Sequence, residues 1–166
     1  MIATRTLMHP ISLGAIALLV INDHVLKHVA PGVITGKLSD FAGLVFFPLL
    51  LAAAAEHAGI RRGIQTVIVA AIATAAAFAA IKLSASAAEI YRNGLGVLQW
   101  PFRAARAMLL GESVPSVGRV AHVVDATDLV ALVALGVPIA LVHRAMRFPS
   151  TVPAKCAGST ESVYPQ

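Results

Sequence analysis

Two short acidic segments contain the residues of this chain best suited to chemistry, and each precedes a long apolar run. The first reads Lys37-Leu38-Ser39-Asp40 and the second Asp125-Ala126-Thr127-Asp128. In both, a hydroxyl residue directly precedes the last aspartate, and a Leu-Val pair follows it. Hydroxyl and carboxylate side chains at a helix start accept hydrogen bonds from free backbone N–H groups. Two carboxylates close together in a medium of low dielectric also need a shared lysine, proton or cation.

A wider set of polar residues flanks the apolar runs and forms the candidate polar cluster. Asp23 and Lys27 are four residues apart, acid first, which favours a helical ion pair. Two alternatives stand for this pair: an intramembrane polar site, or a helix that leaves the hydrocarbon near Asn22 and exposes both residues to water. The candidate cluster consists of Asp23, Lys27, Lys37, Ser39, Asp40, Lys82, Asp125, Thr127 and Asp128.

The same acidic residues raise the question of a metal site. Asp40, Asp125 and Asp128, with His122, are candidate ligands for a divalent cation, which prefers oxygen ligands. No Ser-His-Asp or His-Glu-x-x-His arrangement is present, so no catalytic residue is predicted. The sequence identifies no cofactor.

The composition places the chain among all-α integral membrane proteins. Of its 166 residues, 58% are hydrophobic and 13% charged, whereas soluble domains have about 45–50% and about 25%. Apolar runs of membrane-crossing length predict four transmembrane helices, at 10–30, 39–57, 64–83 and 127–144. These form one bundle within 1–147, and the polar tail 148–166, with its prolines, serines and threonines, is expected to be disordered.

Between spans three and four, the sequence predicts a short helix over 101–110, opened by Pro101 and closed by Gly111. This helix has an apolar side with Phe102, a basic side with Arg103 and Arg106, and an aromatic residue, Trp100, just before its start. Such a pattern is typical of a helix in the lipid headgroup layer. The alternative is a loop helix packed on the bundle.

Four spans that alternate in direction bring the ends of spans one and three to the same membrane face as the starts of spans two and four. If the two acidic segments are related, spans one-two and three-four form a parallel repeat, although a chance similarity of the segments would look the same. Asp40 and Asp128 would then face each other, with Lys27 and Lys82 as counter-charges.

The net charge of +5 indicates lysines and arginines that contact anionic lipid headgroups. It does not indicate nucleic-acid binding, because no nucleic-acid-binding motif accompanies it. The plain basic face near Arg61, Arg62, Arg144 and Arg147 is typical of the cytoplasmic side, which would place both termini in the cytoplasm. The total number of lysines and arginines before the tail is larger at the other face and favours the opposite orientation. The predicted location is the inner membrane, and the predicted partners are the bilayer and either further copies or a larger membrane complex.

The segments Gly36–Leu44, Trp100-Pro101 and Asp125–Leu132 together resemble a family of small, uncharacterised bacterial polytopic membrane proteins with Lys-Leu-Ser-Asp and Asp-Pro-Thr-Asp-Leu motifs. Ala126 departs from the proline of that pattern. The resemblance implies a bacterial membrane protein and no known activity.

Three functions follow as hypotheses. The first is a non-catalytic subunit or assembly protein of a membrane complex, in which the charges serve helix caps and interhelical pairs. The second is a small transporter or ion- or proton-handling protein that uses the Asp40/Asp128 carboxylate–lysine cluster. The third is a metal-dependent enzyme acting on lipid headgroups.

Overall fold

A computed structural model describes residues 1–30, 32–60, 62–120 and 124–147, and the described residues form helices joined by short connections, with no strand among them. Four helices are long and apolar enough to cross a membrane, which confirms the all-α, four-span prediction. The predicted tail, 148–166, lies outside the described residues, as do Arg61 and His122. The helices are α1 (Ile2–Leu7), α2 (Pro10–Val29), α3 (Val33–His57), α4 (Ile64–Leu83), α5 (Ala85–Leu110) and α6 (Ala126–Arg147).

Two of the spans change their helical type along their length. The span α2 is α-helical over Pro10–Ile21 and widens into a π-helical turn over Asn22–Leu26. The span α6 begins as a tighter 3-10 helix over Ala126–Leu135 and continues as an α-helix from Gly136. The change in α6 lies just before Pro138, which has no N–H to donate to the carbonyls of the preceding turn.

The second span, α3, is the central helix and packs against α1, α2, α4 and α6. One apolar core surrounds Leu49, and a second surrounds Leu44 nearer the start of α3. Alanines fill much of both cores, so the helix backbones approach closely. The end of the bundle that contains the start of α3 is called the charged end below.

The predicted start of span two at Ser39 is wrong, because α3 begins at Val33. The Thr35 hydroxyl accepts a hydrogen bond from Gly32 N at 3.1 Å and donates to Gly32 O at 2.9 Å. This bonding closes the turn at Gly32, so that Lys37 and Ser39 both lie inside the helix. Ser39 is therefore not a helix cap, and its hydroxyl is available for contacts between helices.

The predicted short helix at 101–110 is part of a much longer one. The helix α5 begins at Ala85, where the Ser84 hydroxyl accepts a hydrogen bond from Ala87 N, and it ends at Gly111 in the left-handed conformation. Gly111 is thus the stop that the sequence predicts, but Pro101 lies inside the helix instead of opening it. The Ser84 cap starts the helix sixteen residues before Pro101. Trp100 and Pro101 predict a helix start, so the predicted helix lacks this N-terminal half.

A short helix that the sequence did not predict, α1, packs against α3 and α6 at the end opposite the charged end. The buried Glu56 carboxylate accepts hydrogen bonds from the backbone N–H groups of Ile2, Ala3 and Thr4 at 2.9–3.1 Å. It also accepts one from the Thr4 hydroxyl at 3.1 Å. Glu56 therefore supplies the cap that the start of α1 lacks locally.

Candidate functional site

Lys82, in the last turn of α4, lies at the centre of the charged end. Its Nζ atom is 2.9 Å from Oδ2 of Asp40 on α3 and 2.6 Å from Oδ2 of Asp128 on α6. The Lys82 side chain is only 6% exposed, so water competes little for the ammonium group. One cation therefore connects three spans, and the Phe78 ring lies against it at 5.5 Å.

Lys37 is the second cation that binds Asp128. Its Nζ atom is 2.7 Å from Oδ1 of Asp128 and 2.8 Å from the Thr127 hydroxyl. This is possible because α3 already begins at Val33, so Lys37 lies on the helix surface rather than in a turn. Asp128 thus has one lysine on each carboxylate oxygen.

Asp125 acts as a helix cap and takes part in none of the ion pairs among the described residues. Its side chain accepts a hydrogen bond from Thr127 N at 2.8 Å at the start of α6. That hydrogen bond lowers the pKa of the Asp125 carboxyl below its ordinary value. Thr127 is shared, since its N–H binds Asp125 and its hydroxyl accepts from Lys37.

A second branch of polar contacts joins α2 to α3. Lys27 pairs with Asp23 at 2.7 Å, and Asp23 accepts a hydrogen bond from the Ser39 hydroxyl at 2.8 Å. Asn22 is fully buried behind them and donates to Ser39 Oγ and to Thr35 O, each at 2.6 Å. Of the two counter-charges that the repeat predicts, Lys82 does pair with Asp40 and Asp128, whereas Lys27 pairs with Asp23. Lys37 is the second lysine at Asp128.

Tyr91, on α5, lies close enough to the cluster to respond to its charges. Burial raises the pKa of its hydroxyl, and the negative charge of Asp40 raises that pKa further. Sequence reasoning did not include Tyr91 or Asn22 among the candidates. Asn22 was detectable as an amide next to an ionic pair in an apolar run, whereas Tyr91 shows no signal before α5 is known to begin at Ala85.

The contacts determine what the cluster can do chemically. Two lysines, Lys37 and Lys82, balance two carboxylates, Asp40 and Asp128, inside the chain. A divalent cation at these carboxylates would have to displace the Lys82 ammonium group from between them. No group of three potential metal ligands is present among the described residues, and His122 lies outside them. The arrangement fits an interhelical lock better than a metal centre.

The residues predicted for the headgroup layer are separate from the cluster. Phe102 and Arg103 are exposed on α5, as is Arg106. Trp100 is half-buried, and its indole N–H donates to Pro115 O at 2.8 Å, so it contacts the chain that follows α5.

No known protein-family model matches this chain, and neither a curated protein sequence nor a solved structure matches it.

Proposed function

We propose that this protein is a non-catalytic subunit of a membrane complex, where it acts as an assembly or interaction protein. We further propose that it resides in the inner membrane of a bacterium, with both termini in the cytoplasm. The observation that carries the proposal is the position of Lys82 between Asp40 and Asp128.

A catalytic carboxylate needs an oxygen that can accept a proton or bind a substrate or a metal. Both oxygens of Asp128 already bind a lysine, and Lys82 binds Asp40 as well. Mutual neutralisation suits groups whose role is to hold α3, α4 and α6 together.

The surface of α4 supports an interaction role. Four of its alanines are exposed at helical spacing and form one face; they are Ala73, Ala76, Ala77 and Ala80. Small residues let a neighbouring helix approach closely, and in a membrane this close packing drives helix association. Within the described chain, no other helix covers this face.

Site-specific photo-crosslinking in membranes tests the proposal. A photoreactive side chain at Ala77 is expected to give a discrete protein adduct, and Ala77→Leu in a separate chain should weaken copurification of that partner. Ala17, an exposed alanine of α2, is the matched control and is expected to give lipid adducts only. Equal, diffuse labelling at both positions would remove the interaction role.

The second candidate is an ion- or proton-handling protein, and one observation favours it. The side-chain oxygen of Asn22 is buried and accepts no hydrogen bond from the described residues. Its amide nitrogen cannot exchange places with that oxygen, because Thr35 O can only accept. An acceptor beside Asp23 and Ser39 is a group that a transferred cation or proton carrier could use.

Flux through proteoliposomes separates the two candidates. The ion-handling candidate predicts a measurable cation or proton flux that Asp40→Asn with Asp128→Asn abolishes. The subunit proposal predicts no flux with the wild-type protein or with the double variant, and it predicts that the double variant is less stable.

A further inference from the structure

One side of the helix α5 is covered by the chain that follows it. On that side the chain returns along it: Trp100 Nε1 donates to Pro115 O at 2.8 Å, and Val120 N donates to Arg92 O at 3.3 Å. Gly96 meets Gly118 so closely that a Cβ on Gly96 would overlap the Gly118 carbonyl oxygen. Residues 112–120 therefore occupy this side of α5, and the opposite side is left for another contact.

The opposite side is an apolar stripe with a helical repeat of three and four residues. It begins at the charged end with Ala88, which is buried, and continues through Tyr91 and Leu95, which are partly buried. It then passes through Leu98, Phe102 and Leu109, which are 65%, 76% and 87% exposed. The buried and exposed parts belong to one continuous face.

The exposed part extends away from the contacts that bury the first part. The helix has 26 residues and is about 39 Å long, which exceeds the width of a helix pair. Among the other helices, its main contacts are with α4, the span from which it emerges after Ser84. Because α4 is long and apolar enough to cross a membrane, we infer that α5, which begins directly after it, begins at the membrane boundary.

The charges on this half of the helix complement an anionic surface. Residues 98–110 contain Arg103 and Arg106 and no acidic residue. Arg106 is four residues after Phe102 and three before Leu109, so it lies at the margin of the apolar stripe. From the margin of a membrane-surface helix, an arginine can extend its guanidinium to lipid phosphate while its stem stays in the apolar layer.

We propose that the exposed half of α5, over residues 98–110, lies in the headgroup layer of the bilayer with Leu98, Phe102 and Leu109 towards the acyl chains. Arg106 binds the phosphate of an anionic phospholipid at this surface. The occupant of the stripe is thus the lipid surface beside the bundle, and the return segment 112–120 forms the water-facing side. This surface does not depend on the subunit role proposed above.

Nitroxide accessibility in proteoliposomes tests the placement. Single cysteines at positions 98, 102 and 109 are introduced into the full chain carrying Cys156→Ser, and Asn93→Cys is the polar, exposed control. Labels on the stripe are expected to collide more with oxygen than with a water-soluble nickel chelate, and the Asn93 label should show the reverse. Greater collision with the chelate on the stripe would overturn the proposal. Protection from both reagents would show a protein contact there and would overturn it equally.

Lipid composition tests the arginine. The ratio of oxygen to nickel collision at position 102 is expected to rise when phosphatidylglycerol replaces part of the phosphatidylcholine. Arg106→Gln should abolish that rise, whereas Arg119→Gln, whose arginine pairs with Glu89 at 2.9 Å, should keep it. Free phosphate added to phosphatidylcholine vesicles should not reproduce the rise. An equal rise in Arg106→Gln, or a rise with free phosphate, would overturn the assignment of Arg106 to lipid.

Discussion

The Nζ atom of Lys82 lies 2.6 Å from Oδ2 of Asp128, and this ion pair joins the last turn of α4 to the first turn of α6. Because Asp40 shares the same ammonium group, removing Lys82 leaves two carboxylates without it. We expect Lys82→Met to lower the free energy of unfolding by about 3–5 kcal/mol, as breaking a buried ion pair does. Titration with sodium dodecyl sulfate in mixed micelles measures that free energy.

Lys27→Met is the matched control for this measurement. Lys27 also forms an ion pair at 2.7 Å, but its side chain is 42% exposed, so its loss should cost less than about 1 kcal/mol. Adding Asp40→Asn to Lys82→Met should recover part of the lost stability, since it removes a carboxylate that has lost the Lys82 ammonium group. Similar losses for the two lysine variants would mean that Lys82 does not lock the bundle.

The spans could be predicted from sequence because their physical requirement is simple. An apolar run of about twenty residues has few alternatives to a membrane helix. Alternation of the spans then places Asp23, Asp40, Lys82 and Asp128 at one end of the bundle, and the need to pair charges predicts the contacts of Lys82 with Asp40 and Asp128.

The features that the sequence did not predict correctly depend on contacts that no local pattern reveals. The turn before α3 closes at Gly32 through the Thr35 side chain, which composition does not reveal. Pro101 usually marks a helix start, but α5 continues through it with the chain 112–120 packed along one side. Glu56 caps α1 across 54 residues, and no local pattern can indicate such a partner.

The titration of Tyr91 reports on the position of α5 over the charged end. The chain has two tyrosines, so Tyr164→Phe leaves Tyr91 as the sole phenol. Its absorbance at high pH should show a pKa above the ordinary value, owing to burial and the Asp40 charge, and Asp40→Asn should lower that pKa. The unfolded chain then loses the phenol proton first, so the Tyr91 contribution to stability declines as pH rises above about 10. If the pKa of Tyr91 is ordinary and Asp40→Asn does not change it, Tyr91 does not lie near the cluster and this placement of α5 is wrong.

Glu56→Gln tests the cap on α1. A glutamine keeps the size but loses the negative charge, and its amide NH₂ group cannot accept from the N–H groups of α1. Hydrogen bonds to a charged group contribute about 1.5–3 kcal/mol, so the amides of Ala3 and Thr4 should exchange roughly 10- to 100-fold faster. Hydrogen exchange read by mass spectrometry measures this rate. Glu89→Gln is the control, because Glu89 pairs with Arg92 and Arg119 and not with α1. It should leave the exchange rates of the α1 amides unchanged.

Chemical labelling from one side tests the orientation of the spans. With Cys156→Ser as background, cysteines at His28 and Val124 probe the charged end, and cysteines at His57 and Arg144 probe the other end. With both termini in the cytoplasm, an impermeant maleimide added outside spheroplasts should label positions 28 and 124 only. Labelling of 57 and 144 only would reverse the orientation, and labelling of 28 but not 124 would contradict the four-span bundle.

The close approach of Gly96 to Gly118 makes the covered side of α5 testable by one methyl group. Gly96→Ala would place its Cβ against the Gly118 carbonyl oxygen, so we expect the segment 112–120 to move away from the helix. Trp100, the only tryptophan, would then lose its hydrogen bond to Pro115, and its fluorescence should shift to the red and become easier to quench with iodide.

Gly94→Ala is the matched control, because nothing lies within 4 Å of a Cβ there. That change should leave the fluorescence unaltered and stabilise the helix by about 0.5–1 kcal/mol. If Gly96→Ala behaves as Gly94→Ala does, the return segment does not pack on this side of α5.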